Sequence, residues 1–456
     1  MNKLSYTTIL AAAFLLLPGC SDDDTIDNGV IESPEVLVGD SEVEIKLSSN
    51  SSPLTRRGHL FEEEDPETGA IKFSTLTGRR LGVFCLASNK QMANAPAYVT
   101  APNWNNKGVT GKSDVVLWNE QATVLQGNVD FSTVKYYPAT NWYCYDFYAY
   151  HQGSSDESTL ALSEDGKQIT IEKTIDGQDD VIWGKASLTE AEKNALVYTN
   201  ENGISENYGK YAYSARFFRR QMDASGVITP AALKMEHSLC RFTFTVEVGD
   251  EAARGMKISS IALLDMPYNF KMVLANNTYG LTGSDLQSAL DEEGSIIPES
   301  IDMENTKDLV LAGRYQYWDE ETSKYGEKYS DALSYTIPAN AEVGTTHTLD
   351  GNDATWYGFA GNRQWFPNAN ILAIPGLNEY TIRIALETAE GTSLICDQPL
   401  PFGNAEGLMG SDAVPAKPGY SYNVKIKVYG PQKIGISAEL KDWETEEDLD
   451  ISIELN

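Results

Sequence analysis

A chain of 456 residues is too long for one ordinary hydrophobic core, so two or three domains are expected. Its 66 acidic against 35 basic residues give a net charge of -31, which argues against nucleic acid as a partner because phosphate binding needs clustered Lys and Arg. The acid is spread along the chain and reads as a solubilising surface that disfavours indiscriminate self-association.

At the N-terminus a lone Lys3 precedes a short apolar run over residues 9–17. The run closes in Leu17-Pro18-Gly19-Cys20 and gives way at once to Ser21-Asp22-Asp23-Asp24. An apolar core too short to span a bilayer, small residues before a cysteine and an acidic tail describe a lipoprotein signal over residues 1–19. The mature chain then begins at a lipidated Cys20. Each buried acyl methylene contributes roughly 0.8 kcal/mol, so several chains together hold a protein on a membrane surface. No later stretch approaches the run of about 18 apolar residues that a membrane helix needs, which leaves the lipid as the expected anchor.

After a Asp/Ser/Gly-rich linker over residues 21–34 comes an alternating strand in which Val43, Ile45 and Leu47 share one face. The polar stretch that follows carries Thr55-Arg56-Arg57-Gly58. A dibasic pair in a Ser/Pro/Gly loop is open to a trypsin-like protease, and it also reads as a solvated loop with two ordinary arginines.

Further strands are expected around Tyr143 to Tyr150, Gln168 to Ile171, Phe242 to Val246, Tyr380 to Leu386 and Tyr422 to Val428, all period-two or rich in β-branched and aromatic residues. Helical periodicity is scarce: Leu188 to Ala195 and Ser284 to Asp291 each suit a short helix on a loop. The class is therefore all-β, as sandwiches. The division falls between a strand ending near Trp183 and one starting near Leu233, with the charged segment 185–223 able to join either side. The domains are accordingly a propeptide over 20–57, an N-terminal β-sandwich over 58–224 and a C-terminal β-sandwich over 225–456.

Cys85, Cys144, Cys240 and Cys396 could form two disulfides, but each of the first three sits among apolar or aromatic neighbours, as a small buried hydrophobe would. The four histidines (His59, His151, His237, His347) show no metal spacing, and no GxSxG, Walker or dinucleotide glycine motif occurs. No cofactor, no metal and no enzymatic activity are expected. His237, before an apolar strand, reads as a packing residue.

Near the C-terminus, Ile434, Ile436, Ala438 and Leu440 alternate with polar residues, and Leu449, Ile451, Ile453 and Leu455 do so again. Such strands either complete their own sheet or fill another subunit's groove by strand addition. Periodicity does not choose between the two.

Taken in order, the lipoprotein signal with Cys20, Thr55-Arg56-Arg57 after a first strand, Tyr136-Tyr137-Pro138 with Phe147-Tyr148-Ala149-Tyr150, Gln178-Asp179-Asp180-Val181-Ile182-Trp183, Met235-Glu236-His237-Ser238-Leu239 and Pro418-Gly419-Tyr420 through Val428 resemble the fimbrillin family of Bacteroidetes, the lipoprotein precursors of type V pili. The resemblance covers nearly the whole chain. It implies two tandem transthyretin-like β-sandwiches exported to the outer membrane and fimbrium. It also implies an arginine-specific surface protease cutting after Arg56 or Arg57, loss of the strand bearing Val43, Ile45 and Leu47, and filling of the groove by a terminal strand of another pilus subunit. A stalk role is favoured by the C-terminal donor pattern, with tip or anchor roles as alternatives. The rival is a surface glycan-binding lipoprotein whose tryptophans (Trp104, Trp118, Trp142, Trp183, Trp356, Trp365) stack on sugars; Trp356 and Trp365 are the best candidates for an exposed adhesive patch.

Overall fold

In the computed structural model the described residues are 40–50, 61–64, 71–74, 80–91, 99–125, 127–138, 142–151, 159–312, 314–319, 324–329, 333–349, 364–365, 369–377, 379–400, 416–430, 434–442 and 448–449. The all-β expectation holds. Alternation decides the strands: Cys240–Val248 turns Phe242, Phe244, Val246 and Val248 into the core, and Thr381–Glu387 buries Ile382, Ile384 and Leu386 while its other face is half-exposed.

The N-terminal half is a ladder that runs fully round. Its order is Ile182–Ala186, Ala231–His237, Leu47–Asn50, Asn128–Phe131, Val115–Leu125, Arg80–Lys90, Tyr143–His151 and back to Ile182–Ala186. Every pairing is antiparallel except that of Leu47–Asn50 with Ala231–His237, which is parallel. Closure leaves no unpaired sheet edge. The core holds Leu81, Val83, Cys85, Val124, Phe147 and Leu233, with the aromatic side of one helix laid against it.

That helix, Ala215–Ser225, was not expected from the sequence. Ser214 caps it by accepting from the Phe217 amide at 3.3 Å, and Gly226 ends it in the left-handed conformation at φ 70°. Phe217 and Phe218 are buried and form edge and stacked contacts with Tyr213, while Tyr137 lies 5.2 Å from Phe218. The charged segment 185–223 therefore belongs with the first half. The two short helices placed on loops are present as Glu190–Ala195 and Gly283–Glu292.

The second half packs two sheets. One runs Thr346–Thr348, Cys240–Val248, Tyr420–Val428, Ile434–Asp442 and Asp448–Leu449; the other runs Thr306–Val310, Lys257–Pro267, Thr381–Glu387 and Ser393–Pro399. Strand pairing places the change from the first system to the second between His237 and Cys240 rather than at 224, because Ala231–His237 hydrogen-bonds to two strands of the barrel.

The halves are stitched by a third sheet. The hairpin Thr159–Leu162 and Gln168–Thr174 leaves the first half and pairs along seven positions with Asn269–Asn276 of the second. Ile169 and Ile171 from this hairpin, together with Phe84 and Trp183 from the first half, share one continuous core with Phe242 and Val424 of the second. Trp183 Nε1 donates to the Leu274 carbonyl at 2.8 Å, and its ring leaves no room for a Cβ at Gly294, whose φ is +77°.

Candidate strand-exchange site

The expected first strand is two pieces, Asp40–Glu44 and Leu47–Asn50, separated by residues 45 and 46. The first piece pairs with Tyr136–Pro138 and the second enters the barrel wall. Ile45 is 3% and Leu47 2% exposed, whereas Val43 is half-buried. The inward alternation continues to Ser49, which is 6% exposed. The sequence reading missed Ser49 because a serine gives no hydrophobic signal; the unbroken two-residue period is what would have found it.

Backbone bonds hold the segment on both sides. The Ile45 amide donates to the Lys135 carbonyl at 2.8 Å, the Ser49 amide to the Gly127 carbonyl at 2.9 Å, and the Ala231 amide to the Lys46 carbonyl at 3.2 Å. Leu47 sits opposite Val129 on one flank and Ala231 on the other. The Lys46–Glu44 ion pair at 3.3 Å is solvent-exposed and contributes little. What keeps the strand in place is the apolar burial of Ile45 and Leu47, roughly 1.5 to 3 kcal/mol each, with backbone pairing on both edges. Withdrawing Leu47–Asn50 would separate Ala231–His237 from Asn128–Phe131, two strands that do not pair with each other, and open a slot one strand wide.

At the other end, Ile434–Asp442 pairs at nine positions with Tyr420–Val428, so the segment of Ile434, Ile436, Ala438 and Leu440 completes its own sheet. On its far side, among the described residues, it pairs with Asp448–Leu449, with Leu449 opposite Leu440. Cys20, Arg56, Arg57, Ile451, Ile453, Leu455 and Trp356 lie outside the described residues. Trp365 belongs to the short strand Gln364–Trp365, opposite Tyr315.

The other tryptophans are mostly interior. Trp104 and Trp142 are buried, as is Trp183, and Trp104 Nε1 donates to the Ala87 carbonyl at 3.0 Å. Trp118 is half-buried, edge-on to Phe84, with the Lys107 ammonium 3.9 Å from its ring centre. Cys85, Cys144 and Cys240 are buried free thiols and Cys396 is a half-buried one. Burial pushes Cys144 and Cys240 up to about 12. His237 packs at the junction, where its Nδ1 lies 2.5 Å from Asp180 Oδ2. Among the described residues no group of three or more His, Cys, Asp or Glu could hold a metal ion.

The junction also carries a buried carboxylate that the sequence did not single out. Glu293 Oε1 accepts from the Tyr148 hydroxyl at 3.0 Å and the Asn276 amide at 3.1 Å, and Oε2 lies 2.6 Å from Lys185 Nζ. Burial raises the Glu293 carboxyl above the usual range, with Lys185 and the hydrogen bonds opposing it.

No protein-family profile and no curated protein matches the chain. Solved structures similar to it include a cell-adhesion candidate of Bacteroides uniformis (TM-score 0.40, 11% identity, 88% of this chain and 97% of that one). A second such candidate, from Bacteroides ovatus, has a TM-score of 0.38 and 13% identity, over 90% of this chain and 100% of that one. The tip fimbrial protein Mfa3 of Porphyromonas gingivalis has a TM-score of 0.32 and 12% identity, over 88% of this chain and 100% of that one.

Proposed function

We propose that the chain is the precursor of a structural subunit of a surface pilus, lipidated at Cys20, released by an arginine-specific protease after Arg56 or Arg57, and polymerised by strand exchange in support of adhesion. The observation that carries this reading is the placement of Leu47–Asn50. It is a short strand upstream of the dibasic pair, and among the described residues it is the strand that bridges Ala231–His237 and Asn128–Phe131. One cut would detach it from the rest of the chain together with the lipid, and the slot it leaves would expose the places of Ile45 and Leu47.

An incoming strand would recover that burial and both rows of backbone bonds. Before the cut the chain's own strand fills the slot and prevents premature assembly. Head-to-tail insertion is a heterologous contact that does not close on itself, so it builds filaments. Ile434–Asp442 is occupied in its own sheet, so the donor would be the second apolar alternation beyond it, over residues 449–455. A stalk role follows from that donor pattern. The glycan-platform alternative loses three of its six tryptophans to the core.

The test uses the purified chain cut by an arginine-specific protease and mixed with a synthetic peptide of residues 445–456. Retention of the peptide by the cut chain, with none by the uncut chain, is expected. A cut chain that stays monomeric and ignores the peptide would contradict the proposal.

A further inference from the structure

Between the two halves, outside the strand slot, lies a cleft of about 380 Å³. We propose that it is a binding site for a neutral saccharide, of mono- to disaccharide size. The volume lies in the range of small-molecule pockets, and the junction of two domains is a usual place for one.

The walls of the cleft differ in chemistry. One is apolar: Tyr279, Leu281, Leu286 and Leu290 come from the loop and helix that follow Asn269–Asn276, and that helix, Gly283–Glu292, buries none of its side chains fully. Tyr279 is 36% and Leu290 37% exposed. The opposite wall and floor carry Ser88, Asn89 and Asp146 beside Leu188; the Thr189 hydroxyl also lines them but is taken up by the Glu192 amide and carboxylate in its own helix cap. A pyranose has a face of C–H groups and a rim of hydroxyls. An aromatic ring with leucines on one side and acceptors and donors on the other complements both.

The charges select a neutral ligand. Lys185 is committed to Glu293 at 2.6 Å and Lys193 to Glu190 at 2.9 Å. Asp146 lines the cleft as a partly buried residue; burial pushes its carboxyl up, and Lys185, Lys193 and the Ser88 hydroxyl oppose that rise. With both lysines of the cleft lining paired to glutamates, an anion finds no unpaired cation there, and the chain's net charge of -31 opposes it as well. What remains for Asp146 is to accept hydroxyl hydrogens, and a carboxylate accepts such bonds about twice as strongly as a neutral group. Asn89, whose Oδ1 accepts from the Lys90 amide at 2.7 Å, has its side-chain NH2 to offer as a donor in the same cleft. This site does not depend on the pilus reading.

Isothermal titration of the full chain with lactose, N-acetyllactosamine, cellobiose, mannobiose and 3′-sialyllactose tests the proposal. At least one neutral disaccharide should bind, and Asp146→Asn should weaken it by about tenfold or more, as expected for loss of a charge-assisted bond. Tyr279→Ala should weaken it comparably; its side chain is exposed, so this variant should keep the wild-type unfolding transition. Failure of every neutral sugar, binding of sialyllactose alone, or binding that survives both substitutions would overturn the site.

Discussion

Lys185 Nζ lies 2.6 Å from Glu293 Oε2, joining a barrel strand of the first half to the segment just past a helix of the second. The pair is nearly closed to solvent, with side chains 14% and 2% exposed, and the Tyr148 hydroxyl reaches the same carboxylate from the first half. Together with the sheet formed by Gln168–Thr174 and Asn269–Asn276, it makes the junction part of the fold's interior rather than a hinge.

Breaking that pair from one side should be expensive. Glu293→Leu removes the nearest counter-charge of the largely buried Lys185 ammonium, leaving it only Asp146, and a loss of about 3 kcal/mol in urea unfolding is expected. The double variant Lys185→Met/Glu293→Leu should lose less than the two single variants together, because it removes both charges at once. Strict additivity in the double-mutant cycle would contradict the assignment.

Lys173 gives a pH dependence with a definite sign. It is buried, donates to the His151 carbonyl at 3.1 Å, and burial lowers it from 10.5 to about 8. Between about pH 8 and 10.5 the unfolded chain still holds the proton that the folded chain has released, so this residue's contribution to stability rises with pH across that window. Relative to Lys173→Met, the wild type should gain about 3 kcal/mol from pH 7 to pH 10.5. The comparison with the variant is needed because buried tyrosines and thiols, whose ionisation is raised, lose stability in alkali. A pH-independent difference would show that Lys173 is not buried in this way.

Thiol labelling reads the core directly. Cys85, Cys144 and Cys240 are buried and held protonated, so among the four cysteines after Cys20 only the half-buried Cys396 should react with a thiol reagent in the native state. All four should react in denaturant. A native count of zero with oxidised protein would indicate a disulfide instead.

Truncation in the first strand should weaken the intact precursor before any question of assembly arises. Leu47→Ala and Ile45→Ala each remove a side chain from a closed core, and a loss of about 2–5 kcal/mol is expected for each. Val43→Ala, at a half-buried position, should be milder. Equal effects at all three positions would place the strand differently.

Much of the β-architecture could be read from period-two patterns: Tyr143–His151, Gln168–Thr174, Cys240–Val248, Thr381–Glu387 and Tyr420–Val428 all fall on segments picked out by alternation. Pairing was not legible. The parallel contact of Leu47 with Ala231 joins residues far apart in the chain, and nothing local encodes it. Nor did alternation reveal that Gln168–Thr174 would pair with the other half. The helix Ala215–Ser225 escaped because its fully buried residues, Ala215 to Phe218, occupy only the first turn; Arg219 to Gln221 are half-buried and polar, and Met222 to Ser225 are exposed. Near 224 the break in apolar pattern marks the end of this helix, and the barrel takes one more strand, Ala231–His237, after it. Glu293 carried no signal, since one acid among 66 shows its burial only when Tyr148, Lys185 and Asn276 are brought round it.

The central claim is that the first strand is removed by proteolysis and replaced by another subunit's. N-terminal sequencing and size analysis of the protein from its native cell surface, beside an Arg56→Ala/Arg57→Ala variant, test it most directly. A new terminus at Arg57 or Gly58, with SDS-resistant ladders that vanish in the variant, is the predicted result. A single species beginning at Cys20 and unchanged in the variant would contradict it.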